Sequence, residues 1–584
     1  MIFLDFEVFK YDWLVVAIDI DTQKKHVIVN DRDKLSALYN KKRNDIWLGH
    51  NIVHYDQYIL KSVLLSIDPK FMNDKIVVEG LDGWQISREF NKIPMIMFDT
   101  FLASNKGLKT LEGFMGHNIK ETDVDFNIDR KLTPEEIEMT IQYCTHDVEE
   151  DIEVFMLLIN EFNASTSLIQ TFPETLTMND LYRTKAQLSA KILECERPSK
   201  PRNDTFDIHV LDCIQLDKYK AAQEFFLNPE NHWYKRGTVK NEFKLEVAGL
   251  EHTFGFGGVH GARKQYHLDN KHGRMIWHVD VASFYPRLMI FHNLLTRNCK
   301  KPEKFREIFE RRIALKRAGK KAEQAPLKIV INSTYGMCKD PTSQAYDPRQ
   351  ANMITVNGQL MLVDLIEHLE AIDGFELIQS NTDGLIISLP NTDESFEALD
   401  DTCYEWEQRC KMELEFDEIN WICQKDVNNY VYENADGSLE RKGAYVKELN
   451  ALDYDLPIVN EAIVEYMAHR TPIADTINAC DDLIKFQKIV KLSSAYEFVE
   501  HNNIQYTYKC YRVFASTKET DGRILKCKTA IKNGDKYLKK DKFGITPDHC
   551  FIDNDDVTQK KVPSKLDKQW YIDLALERLS GFGL

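Results

Sequence analysis

Lys328-Ile329-Val330-Ile331-Asn332-Ser333-Thr334-Tyr335-Gly336 is the stretch that decides how this 584-residue chain is read. On a helix Lys328, Asn332 and Tyr335 fall at i, i+4 and i+7, one stripe. A cation, an amide and an aromatic make a poor core face and a good platform for a nucleotide. Upstream, Arg312 and Lys316 are again four apart and face one way. Charge neutralisation and positioning are most of what phosphoryl transfer asks of a protein.

Two segments flanking this stretch supply acids. In His278-Val279-Asp280-Val281-Ala282-Ser283-Phe284-Tyr285-Pro286 an apolar strand ends at Asp280, and a turn follows that is expected to stop at Pro286. In Ile378-Gln379-Ser380-Asn381-Thr382-Asp383-Gly384-Leu385-Ile386-Ile387 two apolar runs flank a tight turn, which predicts a β-hairpin with Asp383 at its tip. Two carboxylates are the minimum for binding a pair of divalent cations.

A second group of acids lies near the start of the chain. Asp5 and Glu7 sit two apart on a predicted strand, so both point to one face. Unpaired carboxylates in so apolar a strand are costly unless they meet metal or partners. Asp56 closes Asn51-Ile52-Val53-His54-Tyr55-Asp56. Thr133-Pro134-Glu135-Glu136 marks a helix start, with an N-cap threonine, proline at the first position and Glu at N3. The helix it opens carries Tyr143 and Asp147 at i and i+4, looking into one space. Four carboxylates converging on one spot would hold two cations about 4 Å apart.

Together these segments resemble family B DNA polymerases with a 3′→5′ exonuclease domain, in the compact form of small bacteriophage enzymes. Asp-x-Glu, Asn-x-x-x-(Phe/Tyr)-Asp and Tyr-x-x-x-Asp match the three exonuclease motifs in order. Residues 278–286 resemble motif A, and 328–336 match motif B, Lys-x-x-x-Asn-Ser-x-Tyr-Gly, without a departure. Residues 378–387 resemble motif C, usually Asp-Thr-Asp-Ser, with Asn381 and Gly384 at its two ends. The resemblance implies an RNase H-like exonuclease domain followed by a right-hand polymerase domain of palm, fingers and thumb, α/β and α+β in class. It implies two Mg²⁺ per active centre, replaceable by Mn²⁺. Asp280, Val281 and Asp383 would bind the polymerase ions, and Asp5, Glu7, Asp56 and Asp147 the exonuclease ions, with Tyr143 orienting the attacking water. Tyr285 would lie under the sugar and exclude a 2′-hydroxyl. Arg312, Lys316 and Lys328 would meet the triphosphate, and Asn332 and Tyr335 complete the nucleotide site, Tyr335 on the nascent base pair. Asn51 would bind the single-stranded 3′ end and Lys120 would stand near its scissile phosphate. Tyr430 would hold the primer strand, with Lys442 as its cation. The partners implied are primer-template DNA, dNTPs and a single-stranded 3′ end.

The expected divisions are an exonuclease domain over 1–160, a connecting region over 161–255, palm over 256–450 with a fingers hairpin at about 300–340, and thumb with the C-terminal region over 451–584. Gly255, Gly257, Gly258 and Gly261 punctuate the entry to the second domain. The 287–327 stretch has room for little more than a helical hairpin, so no terminal protein is expected and priming by nucleic acid is. The net charge of −17 speaks against nucleic acid as a partner, while basic stretches at 297–321 and 526–542 suit a backbone held in one groove. The latter is expected to belong to the thumb. The 12 cysteines are scattered singly, which fits reduced thiols rather than a zinc or iron–sulfur site. No apolar run reaches the ~18 residues of a membrane span, and the start lacks a basic signal region. A host-cytoplasmic protein is expected. Two other readings remain: a nuclease with a vestigial polymerase half, made conceivable by Asn381, and a non-catalytic DNA-binding replication scaffold.

Overall fold

The computed structural model describes residues 1–532 and 535–584; Asn533 and Gly534, inside the basic stretch at 526–542, lie outside the described residues. The chain divides into two compact units. The first comprises Met1–Thr184, Leu449–Val459 and Pro472–Leu574, and the second Lys185–Glu448, Asn460–Thr471 and Ala575–Leu584. The sequence-based boundaries differ from this division. The N-terminal portion extends to Thr184 rather than 160, 185–255 belongs with the second unit, and most of the region expected as thumb packs with the N-terminal portion.

The first unit opens with a five-stranded sheet in the order β3-β2-β1-β4-β5. Its strands are β1 (Ile2–Val8), β2 (Trp13–Asp19), β3 (Lys24–Val29), β4 (Ile46–Gly49) and β5 (Ile96–Asp99). β1 pairs antiparallel with β2 and parallel with β4, so it runs through the middle of the sheet. Ile2, Phe3, Leu4 and Phe6 are buried there, which anchors the acids between them. The unit's helices include α1 (Arg32–Lys42) and three that bear on the site: α2 (Asp56–Leu64), α3 (Leu108–Met115) and α4 (Pro134–Leu157). α4 starts as its sequence announces, with Pro134 at its first position and a reciprocal Thr133–Glu136 capping box.

The second unit is built on an antiparallel sheet of eight strands. These are β6 (Gly261–Ala262), β7 (Tyr266–Asp269), β8 (Arg274–Val281), β9 (Glu376–Ser380), β10 (Gly384–Pro390), β11 (Leu414–Asp426), β12 (Asn429–Asn434) and β13 (Leu439–Lys442). The order is β6-β9-β10-β8-β11-β12-β13, with β7 on β11. Between β8 and β9 come α5 (Phe284–Phe291), the hairpin α6 (Pro302–Arg317) and α7 (Lys321–Lys339), and α8 (Pro348–Leu369). α8 is buried on nearly every side, the pattern of a helix through the middle of a domain. Its polar residues are used internally: Gln359 Nε2 donates to the Gly255 and Gly257 carbonyls at 2.8 and 2.9 Å.

The remaining strands of the first unit form two small sheets. β14 (Lys488–Lys491), β17 (Cys510–Ala515) and β20 (Cys550–Ile552) make one, and β15 (Phe498–His501), β16 (Ile504–Tyr506), β18 (Leu525–Lys532) and β19 (Asp535–Lys542) the other. The predicted basic stretch is the β18–β19 pair. Lys540, Lys542 and Lys539 there are paired with Glu500, Asp548 and Asp541. Ile489 and Cys510 pack with Phe114 and Ile119 of the N-terminal portion. Arg512 is completely buried and donates to the Gly113 and His117 carbonyls at 3.2 and 2.7 Å, to Gln487 Oε1 at 2.9 Å and to the Asp555 carbonyl at 2.6 Å. All cysteines are free thiols, and among the described residues no single helix is long and apolar enough to cross a membrane.

Candidate active sites

In the first unit the expected acids are neighbours in two groups: Asp5 and Glu7 with the Cys144 thiol, and Asp147 with Glu112 and His146. β1 presents Asp5 and Glu7, and α4 brings Tyr143 and Asp147 alongside. Asp56 is the first residue of α2, where its Oδ1 accepts from the Phe6 N–H at 3.2 Å. Burial, then the nearby Asp147, raises Asp5 to about 7. Glu7 is raised well above the usual carboxylate range by burial and then by Asp5, Asp147 and Asp56. Asp56 is raised by burial and then by Asp5. Packed so, the acids cannot all ionise until positive charge arrives. Hard oxygen donors in such a cluster fit Mg²⁺ or Mn²⁺.

Four neighbours were not foreseen. Lys109 of α3 donates to Asp147 at 2.7 Å and to Glu112 at 3.0 Å, and its amine lies 5.0 Å from the Tyr143 ring centre. It is the lysine of this site; Lys120 instead pairs with Asp555 at the surface. Nothing in the Leu108–Met115 sequence sets Lys109 apart from a solvated lysine. Cys144 places a buried Sγ 3.4 Å from Asp5 Oδ2. Asp99, at the end of β5, accepts from the Asn51, Val53, Phe101 and Leu102 N–H groups at 2.9–3.2 Å. It thereby holds the turn that leads into Asp56. Asp151, one turn beyond Asp147, is buried and accepts from the Thr100 hydroxyl. Asn51 has φ +71°, a left-handed conformation that asparagine tolerates, so its backbone alone gives a reason for its identity.

In the second unit Asp280, Val281, Tyr285, Arg312, Lys316, Lys328, Asn332, Tyr335 and Asp383 all line one cavity of about 500 Å³. Asp280 sits opposite Gly384 on β10 and Glu415 on β11. The β9–β10 hairpin carries Asp383 at its turn, and the Asp383 carbonyl accepts from the Val281 N–H at 2.8 Å. Burial, then Asp383, Glu415 and Asp417, raises Asp280 to about 7. On α7 the Lys328, Asn332 and Tyr335 stripe faces the cavity, with the buried Ile331 beside it in the lining, while Leu327, Val330 and Thr334 are buried away from it. Tyr285 and Tyr335 have ring centres 4.7 Å apart. Arg312 Nη1 donates to Ser283 Oγ at 2.7 Å, while among the described residues its buried Nε has no partner, nor has Gln324 Oε1 in the same lining. Buried polar atoms left so are places where a ligand is expected.

The turn after Asp280 ends earlier than expected. It stops at Ser283, φ +54°; Pro286 is the third residue of α5, where a missing N–H costs nothing. Tyr430 is 8% exposed and packs in the sheet core with Ile276, Ile378 and Tyr432, away from the cavity lining, because β12 lies inside the sheet. Lys442 lies across from it on β13 and is exposed. Asn381 makes turn bonds: its N–H donates to the Gly384 carbonyl at 2.8 Å and its Oδ1 accepts from the Thr382 N–H at 2.9 Å. Glu415, missed in the sequence, is a third acid in the cavity lining. Its signal was the alternation Met412-Glu413-Leu414-Glu415-Phe416-Asp417, a strand with its acids on one face.

The chain is similar in sequence to an archaeal DNA polymerase. It is 24% identical over 197 residues, 33% of its length, to the protein named DNA polymerase 1 of Sulfurisphaera ohwakuensis. The match spans only 21% of that curated relative. Among solved structures, the family B DNA polymerase of the hyperthermophilic archaeon Pyrobaculum calidifontis aligns at a TM-score of 0.42 and 13% identity, covering 100% of this chain and 77% of that one. No family model matches the chain.

Proposed function

We propose that the protein is a template-directed DNA polymerase of the family B type that extends a nucleic-acid primer, and that its first unit is a 3′→5′ proofreading exonuclease. The observation that carries this reading is the shared cavity lining. Acids from the sheet, Asp280 and Asp383, meet cations from the helical hairpin, Arg312, Lys316 and Lys328, around one space. Asp280, Asp383 and the Val281 carbonyl would hold two Mg²⁺ or Mn²⁺ ions, whose charge favours an ionised primer 3′-hydroxyl and offsets the triphosphate. Arg312, Lys316 and Lys328 draw in the phosphates, Tyr285 carries the sugar and Tyr335 the base pair. In the first unit Asp5, Glu7, Asp56 and Asp147 would hold the same kind of ions. Tyr143, with the Lys109 amine against its ring, orients the water that attacks the last phosphodiester. α6 and α7 are joined by Ala318–Lys320 alone, a connection that suits primer-template DNA rather than a terminal protein. The role this fits is replication of phage DNA in a host cytoplasm.

Primer extension and 3′ degradation, assayed side by side, test the reading. Asp280→Ala and Asp383→Ala should each cut incorporation by roughly 10²-fold or more and leave degradation intact. Asp5→Ala with Glu7→Ala should do the reverse and raise misincorporation. Near wild-type extension by either of the first two variants would overturn the assignment.

A further inference from the structure

α2 has two working sides. Its first residue, Asp56, belongs to the acid cluster, and the next, Gln57, together with Tyr58 and Lys61 lines a separate cavity of about 490 Å³. That volume lies within the ~300–1,000 Å³ typical of small-molecule sites. Rings of Tyr58, Trp84, Phe90 and Tyr182 contribute to the walls. Gly83 makes this possible: a Cβ there would fall 2.3 Å from the Tyr58 ring, so only glycine lets the 82–86 turn close over it.

The cavity contains an unusual group. Lys61 is 7% exposed, donates to Gln57 Oε1 at 2.7 Å, and has no carboxylate partner among the described residues. Gln57 in turn donates to the Val53 carbonyl at 2.5 Å, fixing the amide that orients the amine. Burial alone lowers the amine to about 8. A buried cation without a counter-charge is costly. An apolar occupant would deepen that cost, whereas a phosphate would relieve it. A single amine matches a single phosphate. The exposed Asp82 in the same lining disfavours the larger charge of a triphosphate. Aromatic walls, including Trp84 at 64% exposure, offer faces on which a base can stack.

We propose that this cavity is a binding site for a deoxynucleoside 5′-monophosphate, with the phosphate on Lys61 and the base against Tyr58, Trp84 and Tyr182. It is separate from the acid cluster but shares α2 with it, so a bound nucleotide bears on Asp56. The proposed hydrolysis releases this class of molecule, and in its choice of ligand the inference rests on the exonuclease reading.

Equilibrium titration of the full chain in EDTA, without DNA, tests the site apart from that reading, which fails only if 3′ degradation is absent. Calorimetry in two buffers of different ionisation enthalpy, with Trp84 fluorescence alongside, should give saturable binding of dAMP and dTMP. At pH 8 binding should take up about half a proton, as the phosphate raises the amine back above the buffer pH. Lys61→Met keeps the packing, so it should fold, bind at least about tenfold more weakly and lose the proton uptake. Trp84→Ala, at an exposed position, should weaken dAMP more than inorganic phosphate. The proposal is overturned by no saturation up to roughly 10 mM nucleotide, by equal affinity in Lys61→Met, or by deoxyadenosine binding as tightly as dAMP. It also fails if binding vanishes in Asp5→Ala/Glu7→Ala while surviving in Lys61→Met.

Discussion

Asp151 is buried beside the acid cluster, and that burial raises its carboxyl to about 8. Its Oδ2 has no partner among the described residues, which is tolerable for a group held neutral and costly for an anion. Because the folded value lies above the ordinary 3.8, the folded protein binds an extra proton between those two values. The stability this carboxyl contributes is complete below about pH 4 and is lost as pH rises to about 8. Asp151→Asn keeps an acceptor for the Thr100 hydroxyl and cannot ionise. Thermal unfolding in EDTA should therefore find the variant gaining on the wild type steadily from pH 5 to pH 8 and holding a constant lead above that. A parallel pair of stability curves across this range would mean that Asp151 is ionised in the fold. The residue types of the acid cluster were legible in sequence because Asp5 and Glu7 break an apolar strand. Asp151 and Lys109 were not, since one acid or one lysine on an amphipathic helix looks like solvated surface until neighbours from other elements are placed around it.

The β9–β10 hairpin depends on close backbone approach. A Cβ on Gly384 would lie 2.9 Å from Asp280 Oδ1, 3.1 Å from the Val279 carbonyl and 3.3 Å from His278 Nε2. Gly258 does the same from the other side, where a Cβ would fall 2.4 Å from Thr382 Oγ1. The turn bearing Asp383 is thus held between β8 and the glycine-rich 255–258 segment, which Gln359 of α8 anchors. Gly384→Ala should leave the sheet folded but push the Asp280 carboxylate aside, because the side-chain end moves more cheaply than the Val279 carbonyl. Nucleotide incorporation should fall by roughly tenfold or more, with circular dichroism unchanged and 3′ degradation retained. Unaltered incorporation would show that Asp280 does not need its present position. Strand, hairpin and helix were each readable from period and turn residues here. The sequence could not tell that the glycines of 255–258 serve this turn, because that contact joins segments more than 120 residues apart.

At the scale of the molecule, the first unit is sewn from both ends of the chain. Arg512 spends its hydrogen bonds on neutral acceptors, among them the Gly113 and His117 carbonyls at the end of α3. A guanidinium suits a helix C-terminus, where the dipole favours positive charge. Leu111 and Met115 of α3 pack with Ala451 and Leu452, and Phe114 with Ile489 and Cys510. Residues 1–184 expressed alone should accordingly show weak amide protection in α3 and bind hydrophobic dye. Arg512→Met in the full chain should lower the melting temperature and should leave the carbonyls it served without donors. A fragment as well protected as the whole chain would contradict this. The sequence marked 526–542 only as a basic stretch and 451–584 as one region, because domain membership there is decided by contacts some 370 residues apart along the chain.

That stitching has a consequence for how the protein is made. The ribosome delivers Met1–Thr184 first, yet β14, β17 and the Arg512 side chain arrive hundreds of residues later. The segment Lys185–Glu448, which supplies most of the second unit, is finished in between and has most of its core to hand. Vectorial synthesis therefore reverses the order of maturation. The earliest residues to emerge wait longest, with the faces of α3 that Ile489 and Cys510 will cover still open, and this is the interval in which a chaperone has most to protect.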